Sequence, residues 1–548
     1  MKVLIVGGVA GGAGTAARLR RNDEQAEIIM FEKDEFISFA NCGLPYYIGE
    51  VIKEKAALQI NTPQHFSDRY KVDVRVFNEV IEVNAKEKCV TVLNVNDGTK
   101  YIEGYDKLVL SPGAIPLRPS LAGMDAANVF TLRNIADTYA IKDYVDEQKP
   151  KTAVVVGGGF IGVEVADNLL KAGLQVSIVE MGNHLIQTID EDMSYDIHNH
   201  LREKGVTLYL NQTVAEYESG QVVLENNKQV PADMVILSIG VRPATGFLAD
   251  SGIALGSKGE ILVNDYFETS IRDVYALGDA VAVPHFVTGK QTYIPLAGPA
   301  NKQARIVADN ITGTRIPYAK SQGTSILLAG DMTVAAFGLT EAKLIEEGIP
   351  YKKALTFSQN HAGYYPGAKP MFLKLLFSPE GKIYGAQITG YEGVDKRIDV
   401  LSMAQRANAT VQDIMDVDLA YAPPFGSAKD PVNMVGYVAE NILGGRTKQF
   451  YLEDIPSIPE GAFLLDCRTP AEYEAGHMKG FVNLELDDLR NQLQHCPKDT
   501  PIYITCRVGL RGYLAEQLLN GMGFDTYNFA GGYRLYEAYE KDKKARKI

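Results

Sequence analysis

The segment TAVVVGGGFIG at residues 152–162 decides the fold of this chain. A run rich in β-branched residues, typical of a strand, leads into a glycine turn, and a helical stretch follows. Gly157, Gly159 and Gly162 match the pattern GxGxxG, in which glycines permit a tight turn and let the backbone approach a pyrophosphate. The segment therefore predicts a strand–turn–helix unit that binds a dinucleotide.

An acidic residue after the next strand indicates which nucleotide this unit binds. Residues 176–179 predict that strand, and Glu180 follows it directly. A carboxylate at this place accepts hydrogen bonds from a free ribose 2′-hydroxyl and repels a 2′-phosphate. Residues 181–185 contain no arginine to hold that phosphate. We therefore expect NADH rather than NADPH.

The same arrangement occurs at the start of the sequence, in MKVLIVGGVAGG at residues 1–12. Here Val9 replaces the middle glycine, a helix follows, and a strand at 28–31 ends at Glu32. A glycine-rich turn also serves to pack a helix on a strand, which is the alternative interpretation. Two such units in one chain indicate two dinucleotides, and hence a flavin that is reduced by a nicotinamide.

Two shorter segments fit a flavin protein. YDKLVLSPGA at 105–114 resembles the turn that returns the chain from a flavin domain to a nicotinamide domain. VYALGDA at 274–280 resembles the strand and Gly-Asp pair whose aspartate holds the ribityl hydroxyls. For Asp279 a plain helix N-cap is the alternative.

In this order, the four segments resemble the FAD-dependent pyridine nucleotide-disulfide oxidoreductases over about residues 1–445. The resemblance implies an enzyme in which NADH reduces FAD. It places these residues at FAD: Gly7, Gly8, Ala10, Gly11, Gly12, Glu32, Gly113, Gly278 and Asp279. It places these residues at NADH: Gly157, Gly159, Gly162 and Glu180.

The redox chemistry depends on Cys42, in SFANCGLPY at residues 38–46. This cysteine lies in a turn that opens a predicted helix, a position that lowers the pKa of a thiol. Glutathione-reductase-like relatives carry a CxxxxC pair here, but Tyr47 takes the second position, so a single redox cysteine remains. Single-cysteine relatives are coenzyme A (CoA) disulfide or persulfide reductases, or NADH oxidases and peroxidases, and the segment resembles the first group. A buried structural cysteine is the alternative.

Two arginines suit the phosphates of CoA. Arg18 and Arg21, three residues apart on the first predicted helix, share one face. The resemblance to the CoA reductases implies that these arginines, with Ser38 and Asn41, contact bound CoA. For the arginines an ordinary solvated basic face is the alternative.

Tyrosines of the third domain are candidate proton donors to a leaving thiolate. They lie in HAGYYPG at 361–367 and AYAPPF at 420–425. The resemblance implies that Tyr365 or Tyr364, together with Tyr421, reaches the active site of the partner subunit, and hence that the protein is a homodimer. The pKa of a phenol is similar to that of a thiol, so a tyrosine can donate its proton to a leaving thiolate. Interface packing is the alternative.

The last hundred residues alternate strand and helix in a pattern that resembles a rhodanese domain. In TCRVGLR at 505–511, Cys506 opens a loop whose backbone N–H groups form an anion nest, and Arg507 and Arg511 add positive charge. A thiolate is therefore favoured. The four residues between Cys506 and Arg511, one fewer than in related phosphatases, suit sulfur better than phosphate.

Three other residues of this domain carry expectations from the same resemblance. Gly512 stands where Ser or Thr often follows the loop arginine in active rhodaneses, so a degenerate, non-catalytic module is the alternative. Cys467 and His477 occupy positions that are structural in the family.

The composition excludes several classes of protein. The 548 residues contain 55 Lys plus Arg against 68 Asp plus Glu, a net charge of −13, which disfavours a nucleic-acid partner. No apolar run is long enough to span a bilayer, and no cleavage-type signal follows the first residues, so we expect a cytoplasmic location and no membrane partner. Five scattered cysteines without a CxxC pair argue against a disulfide framework and against a metal site.

The expected fold class is α/β, with two doubly wound dinucleotide-binding (Rossmann-like) domains, an α+β dimerisation domain and a C-terminal α/β rhodanese domain. The expected domains are FAD-binding at 1–117 and 249–315, NADH-binding at 118–248, dimerisation at 316–445, a linker at 446–460 and rhodanese at 461–548.

The expected function joins the two cysteines. Electrons pass from NADH through the flavin to Cys42, which reduces CoA persulfide, polysulfide or CoA disulfide, while Cys506 handles sulfane sulfur. Two alternatives stay open: an NADH oxidase or peroxidase with a sulfenic acid at Cys42, and a redox-sensing flavoprotein.

Overall fold

The structure is a computed structural model that describes residues 1–546; residues 547 and 548, the end of the predicted rhodanese domain, lie outside the described residues. The chain forms two compact units, one of residues 1–181 with 212–323, the other of residues 182–211 with those from 324 onward. Residues 182–211, which the sequence analysis assigns to the NADH-binding domain, therefore cluster with the second unit.

A parallel five-stranded sheet forms the first half of the first unit. Its strands run in the order Val274–Ala276, Lys107–Leu110, Lys2–Val6, Glu27–Phe31 and Asp73–Arg75. The three central strands are mostly apolar, as expected for a parallel sheet whose faces are covered by helices. Val3, Leu4 and Ile5, in the central strand, are fully buried.

A second set of parallel strands contains Thr152–Val156, the strand before the GxGxxG turn. Its strands run in the order Gln175–Glu180, Thr152–Val156, Met234–Leu237 and Val129–Thr131. The α-helices of this unit are Ala10–Asn22, Leu44–Ile48, Pro63–Tyr70, Ile135–Gln148, Phe160–Lys171 and Ala297–Ile311. Its 3₁₀ turns are Asn41–Gly43, Lys55–Leu58, Gly246–Leu248 and Gly278–Ala280.

Small antiparallel sheets complete the first unit. One contains Asn78–Asn84, Cys89–Asn94 and Lys100–Gly104, and another Val214–Glu218, Gln221–Leu224 and Gln229–Pro231. Two-stranded pairs join Val241–Pro243 to Ala114–Pro116 and Val283–Pro284 to Gln291–Thr292.

An antiparallel sheet with helices on it forms the first part of the second unit. Its strand order is Ser325–Ala329, Met332–Gly338, Ile383–Gly390, Pro370–Phe377 and Lys352–Gln359. The helices here are Glu191–Glu203, Glu341–Glu346, Val394–Arg406, Val411–Asp416 and Pro431–Leu443, and strand Thr207–Leu210 also belongs to this unit.

A buried cation links this sheet to the start of helix Glu191–Glu203. Lys374 is fully buried, and its Nζ lies 3.0 Å from Asp190 Oδ2 and 2.8 Å from Asp192 Oδ1, with Glu341 as a third partner. These three carboxylates are close enough together to hold a metal ion, but the ammonium group of Lys374 already supplies the positive charge among them.

A parallel sheet near the C-terminus has the order Gln449–Phe450, Thr526–Phe529, Ile502–Thr505, Phe463–Asp466 and Val482–Asn483. Its helices are Pro470–Glu474, Leu510–Gly521 and Gly532–Arg546, with 3₁₀ turns Leu452–Ser457, Leu489–Asn491 and Leu493–His495. The fold thus confirms the predicted α/β class.

The expected linker at 446–460 is folded. Phe450 is almost fully buried, with its ring stacked on Phe529 and edge-on to Tyr503, because the segment adds strand Gln449–Phe450 to this sheet. The proline-containing stretch of this segment forms a 3₁₀ turn, Leu452–Ser457, and not an unstructured linker.

Helix Gly532–Arg546 packs on helix Glu191–Glu203 through a buried carboxylate. Asp542 is 1% exposed and accepts from His198 Nδ1 at 3.2 Å and Arg202 Nη1 at 2.6 Å, and it pairs with Arg546. Although burial opposes ionisation, these donors lower the pKa of Asp542 to about 2. Burial lowers the pKa of His198 to about 4, so this imidazole is neutral at pH 7.

No helix within residues 1–546 combines the length and the apolar character needed to cross a membrane.

Candidate active sites

The first glycine turn leaves no room for side chains. Gly7 has φ +95°, and a Cβ there would lie 2.1 Å from the carbonyl oxygen of Ser111. A Cβ on Gly12 would lie 1.7 Å from the oxygen of Gly7, and one on Gly11 would lie 2.3 Å from Ser111 Oγ. Helix Ala10–Asn22 begins directly after the turn, so its N-terminal N–H groups face the space above it.

Glu32 stands at the end of the second strand, as predicted. Its Oε2 accepts from the N–H of Gly8 at 2.9 Å, and its Oε1 from the N–H of Asp34. Burial raises the pKa of Glu32, although these two hydrogen bonds act in the opposite direction. The carboxylate is thus positioned at the turn where the sequence analysis places the ribose of a dinucleotide.

The second glycine turn repeats this construction. Gly157 has φ +104°, and a Cβ on Gly162 would lie 2.0 Å from the Gly157 oxygen. The N–H of Gly158 donates to Glu180 Oε2 at 2.6 Å. A Cβ on Gly159 would meet no protein atom within 4 Å, so this glycine keeps the backbone open to a ligand, whereas Gly157 and Gly162 are required by packing.

Asp279 is not a helix N-cap. It lies inside the 3₁₀ turn Gly278–Ala280, and its Oδ2 accepts from Arg133 Nη2 at 2.8 Å. Gly113, with φ +70°, lies next to the same guanidinium group, which would be 3.3 Å from a Cβ. Gly278 also has a positive φ, and its N–H donates to Gln303. The two flavin segments of the sequence thus meet around Arg133, a residue that the sequence analysis missed.

Cys42 lies in the 3₁₀ turn Asn41–Gly43, directly before helix Leu44–Ile48, and is exposed. The expected fall in its pKa is wrong. Surrounding protein atoms displace water and raise the pKa of the Cys42 thiol, and the carboxylates of Glu164 and Asp279 raise it further. Helix Leu44–Ile48 has only five residues, so its dipole is too small to offset these effects.

A tyrosine–glutamate pair adjoins Cys42. The hydroxyl of Tyr46 donates to Glu164 Oε1 at 3.0 Å, and burial raises the pKa of Glu164. Burial, together with Glu164, raises the pKa of Tyr46 as well. The sequence does not predict this pair, because Tyr46 and Glu164 are 118 positions apart and no local pattern joins them.

The four residues expected at CoA differ in their surroundings. Arg18 Nε donates to Asp309 Oδ1 at 2.8 Å, so its charge is shared, whereas Arg21 is exposed. The N–H of Ser38 donates to Gly8, which ties the Cys42 segment to the first glycine turn. Asn41 Oδ1 is buried and has no hydrogen-bond partner in the described part of the chain, which fits a ligand with a donor group beside Cys42.

The tyrosines of the antiparallel domain are exposed. Tyr364 and Tyr421 are 76% and 47% exposed, and their hydroxyls lie 2.8 Å apart. This hydrogen bond raises the pKa of Tyr364. Tyr365 packs edge-on against His361 instead. The structure therefore pairs Tyr364, rather than Tyr365, with Tyr421.

The loop after strand Ile502–Thr505 surrounds the sulfur of Cys506 with donors. Cys506 is fully buried, and the N–H of Gly509 lies 3.0 Å from its Sγ. Burial alone would raise the pKa, but hydrogen bonds from Cys467 and from the N–H groups of Gly512, Val508 and Gly509 lower the pKa of Cys506 to about 6. A pKa lowered in this way favours the predicted thiolate.

Both arginines of the loop hold carboxylates. Arg511 makes two 2.7 Å hydrogen bonds to Glu472, whose pKa falls to about 2, and Arg507 pairs with Glu537 at 2.9 Å. Their charge is thus shared with acidic partners. Gly512 is a packing requirement, since a Cβ there would lie 2.2 Å from Asn528 Oδ1.

Three segments of the chain match known protein families. Residues 1–304 match the family described as pyridine nucleotide-disulphide oxidoreductase, residues 325–431 match the dimerisation domain of that family, and residues 452–539 match the rhodanese-like domain. The chain therefore belongs to the pyridine nucleotide-disulphide oxidoreductases and carries a C-terminal rhodanese-like domain.

Three relatives are close to this chain. The coenzyme A disulfide reductase of Staphylococcus haemolyticus is 37% identical over 443 residues, which cover 80% of this chain and 100% of that protein. The crystal structure of reduced Bacillus anthracis CoADR-RHD has a TM-score of 0.97 at 47% identity and covers 99% of this chain and 98% of that one. The structure of an NAD-dependent persulfide reductase from A. fulgidus has a TM-score of 0.93 at 32% identity, and it covers 98% of this chain and 100% of that one.

Proposed function

We propose that this protein is an FAD-dependent reductase that passes electrons from NADH to CoA persulfide, polysulfide or CoA disulfide. The observation that carries the proposal is the presence, in one chain, of two dinucleotide turns, a cysteine segment tied to the first of them, and a rhodanese-type thiolate. The relatives support it, since one is named a CoA disulfide reductase and another an NAD-dependent persulfide reductase.

The residues of the first unit fit FAD and NADH. FAD would be held by the turn at Gly7 to Gly12, by Glu32 and by Asp279, and NADH by the turn at Gly157 and by Glu180. Bound FAD supplies transfer of two electrons from NADH to sulfur.

Cys42 acts as the nucleophile toward the sulfur substrate. Its thiolate attacks the CoA-bound sulfur of a CoA persulfide, an S–S bond to CoA forms, and hydrosulfide leaves. Two electrons then cleave this mixed disulfide and release CoA thiolate. Asn41 Oδ1 and the exposed Arg21 would bind CoA, and the Tyr46–Glu164 pair would hold a proton next to the changing charge on Cys42.

The protein is proposed to be a cytoplasmic homodimer. Tyr364, Tyr421 and Phe425 expose large aromatic surfaces within the region that matches the dimerisation domain, and such surfaces are typical of interfaces. In the dimer, Tyr364 and Tyr421 would donate a proton to the thiolate leaving the partner's site. All five cysteines are free, which fits a reducing compartment.

The test is an anaerobic assay of the purified yellow protein. NADH is added with CoA disulfide and then with polysulfide, and NADH loss is followed together with sulfide release. NADH consumption with both substrates, and sulfide only from polysulfide, is the expected result. NADH loss that requires air would overturn the proposal and indicate the oxidase alternative.

A further inference from the structure

The rhodanese-type domain contains a second thiol next to Cys506. Strands Phe463–Asp466 and Ile502–Thr505 are parallel neighbours, and Asp466 is paired with Thr505 in register. The next residue of each strand is a cysteine, Cys467 and Cys506. The two cysteines therefore stand side by side where the strands end.

Contacts at this point hold Cys467 in place. Its N–H donates to the oxygen of Thr505 at 3.0 Å, and its Sγ lies 3.3 Å from the same oxygen. Cys467 and Cys506 are both fully buried in one apolar cluster, and the two thiols are close enough for each to shift the pKa of the other.

The spacing of the strands suits a covalent bond between these sulfurs. Neighbouring strands lie about 4.8 Å apart. That separation is inside the Cα–Cα range of about 4.4–6.8 Å that disulfides span. The strand spacing therefore brings Cys467 and Cys506 within the backbone separation that a disulfide spans.

We propose that Cys467 is the resolving cysteine of the rhodanese-type site, which releases the sulfane sulfur carried by Cys506 as hydrosulfide. The proposal rests on the proposed function, in which Cys506 accepts sulfur as a persulfide. Cys467, assigned a structural role in the sequence analysis, becomes a group that reacts with the bound sulfur.

The reaction balances without an external oxidant. The Cys467 sulfur attacks Sγ of the Cys506 persulfide, the Sγ–S bond breaks, and a Cys467–Cys506 disulfide forms. The outer sulfur leaves as hydrosulfide with the proton that Cys467 loses. The sulfane sulfur is reduced by two electrons, and the two cysteine sulfurs are oxidised by the same two.

A small thiol then reopens the disulfide. Two equivalents of CoA thiol, attacking in succession, return Cys467 and Cys506 to thiols and leave one CoA disulfide. CoA disulfide is a substrate of the proposed reductase, so NADH supplies the electrons at the end of the sequence.

The electrostatics of the loop agree with this order of events. The loop N–H groups donate to the Cys506 sulfur and favour its negative charge, and the pKa of Cys506 is lowered accordingly. Cys467 keeps its proton, since a hydrogen bond to Cys506 and burial hold its pKa well above the usual range. That proton is therefore available to the departing sulfide.

The experiment uses the full-length protein without NADH and without air. The wild type, Cys467→Ser and the control Cys496→Ser are each treated with polysulfide, freed of excess reagent, and analysed by peptide mass spectrometry under non-reducing conditions. Cys496 is a suitable control because it is buried in the same apolar cluster but lies outside the two strands.

The wild type and Cys496→Ser are expected to give a Cys467–Cys506 cross-linked peptide, and Cys467→Ser a Cys506 peptide with one added sulfur. Sulfide released from the loaded protein should fall about tenfold in Cys467→Ser and be restored by added CoA thiol.

Equal retention of the added sulfur in wild type and Cys467→Ser, without a cross-link, would overturn the inference alone. No added sulfur on Cys506 in any variant would overturn the proposed role of Cys506 itself. The wild-type cross-link decides the matter even if Cys467→Ser does not fold.

Discussion

Cys42 and Cys506 both precede a helix in an α/β domain, yet their thiols have opposite properties. Cys506 is completely buried and has a pKa of about 6, whereas Cys42 is exposed and has a pKa above its usual value. Backbone N–H groups of a loop surround the Cys506 sulfur and offset the effect of its burial. At Cys42 the surrounding protein atoms displace water and raise the pKa, and the carboxylates of Glu164 and Asp279 add to that effect. The exposed fraction of a cysteine is therefore a poor guide to its pKa, because the groups around the sulfur also act on it.

The two thiols are suited to different tasks. A thiolate that exists at neutral pH in a nest of N–H groups can accept sulfur without an external base. A more basic thiol is a stronger nucleophile once deprotonated, but at neutral pH a base must first take its proton. The proposed division of labour between Cys506 and Cys42 follows this contrast.

The largest expected effect comes from removing Cys42. Cys42→Ser should lower NADH-dependent reduction of CoA disulfide by at least about a thousandfold, because a hydroxyl cannot form the mixed disulfide. The measurement is kcat/KM under anaerobic conditions. Cys89→Ser, in the antiparallel strand Cys89–Asn94, is the matched control and should retain full activity. Substantial activity in Cys42→Ser would remove this cysteine from the mechanism.

Titration of the thiols tests the contrast directly. The ultraviolet difference between the wild type and Cys506→Ser should show a thiolate that forms with a midpoint of about pH 6. The difference between the wild type and Cys42→Ser should show a midpoint above the ordinary thiol value. The Cys506 midpoint should therefore lie well below the Cys42 midpoint. Midpoints in the reverse order would contradict the comparison.

Removing Cys506 should separate the substrates. Cys506→Ser is expected to lower turnover on polysulfide about tenfold while sparing CoA disulfide, because Cys506 handles only sulfane sulfur. Turnover is measured as sulfide release and as NADH loss. Equal losses on both substrates would show that the two sites are not divided in this way.

The smallest effect is expected at the pair beside Cys42. Glu164→Gln removes a carboxylate that raises the pKa of Cys42, so the pKa falls and alkylation of Cys42 by iodoacetamide at pH 8 should become about two- to fivefold faster. Tyr46→Phe keeps the carboxylate and serves as the control. An unchanged or slower rate in Glu164→Gln would mean that this carboxylate does not influence the thiol.

Local rules explain the part of the molecule that the sequence predicts well. The positive φ of Gly7 and Gly157, and the close approach of Gly162 to its own turn, are requirements of a few consecutive residues. The Cys506 loop is likewise defined by consecutive N–H groups. Both the dinucleotide turns and the thiolate could therefore be predicted.

Contacts between distant segments explain the rest. Arg18 meets Asp309, and Tyr46 meets Glu164, through packing that no spacing in the sequence encodes. The rise in the Cys42 pKa is not predictable from the sequence for this reason, because it comes from surrounding protein atoms and from Glu164, whereas the position before a helix is local. The rhodanese resemblance gives Cys467 a structural role, and its motif does not reveal the strand register that places it beside Cys506.

The buried contact of Asp542 with His198 and Arg202 affects how far the rhodanese-like domain can be separated from the reductase portion. The relative from S. haemolyticus matches over its whole length with only 80% of this chain, so the reductase portion exists elsewhere as a complete gene product. Here helix Gly532–Arg546 supplies the partner of His198 and Arg202, which belong to the reductase portion. A shortened gene lacking that helix would leave a neutral histidine and an unpaired arginine at a newly uncovered surface. The appended domain thus shares a buried ionic contact with the reductase portion, and a change at Asp542 alters the surroundings of His198 and Arg202.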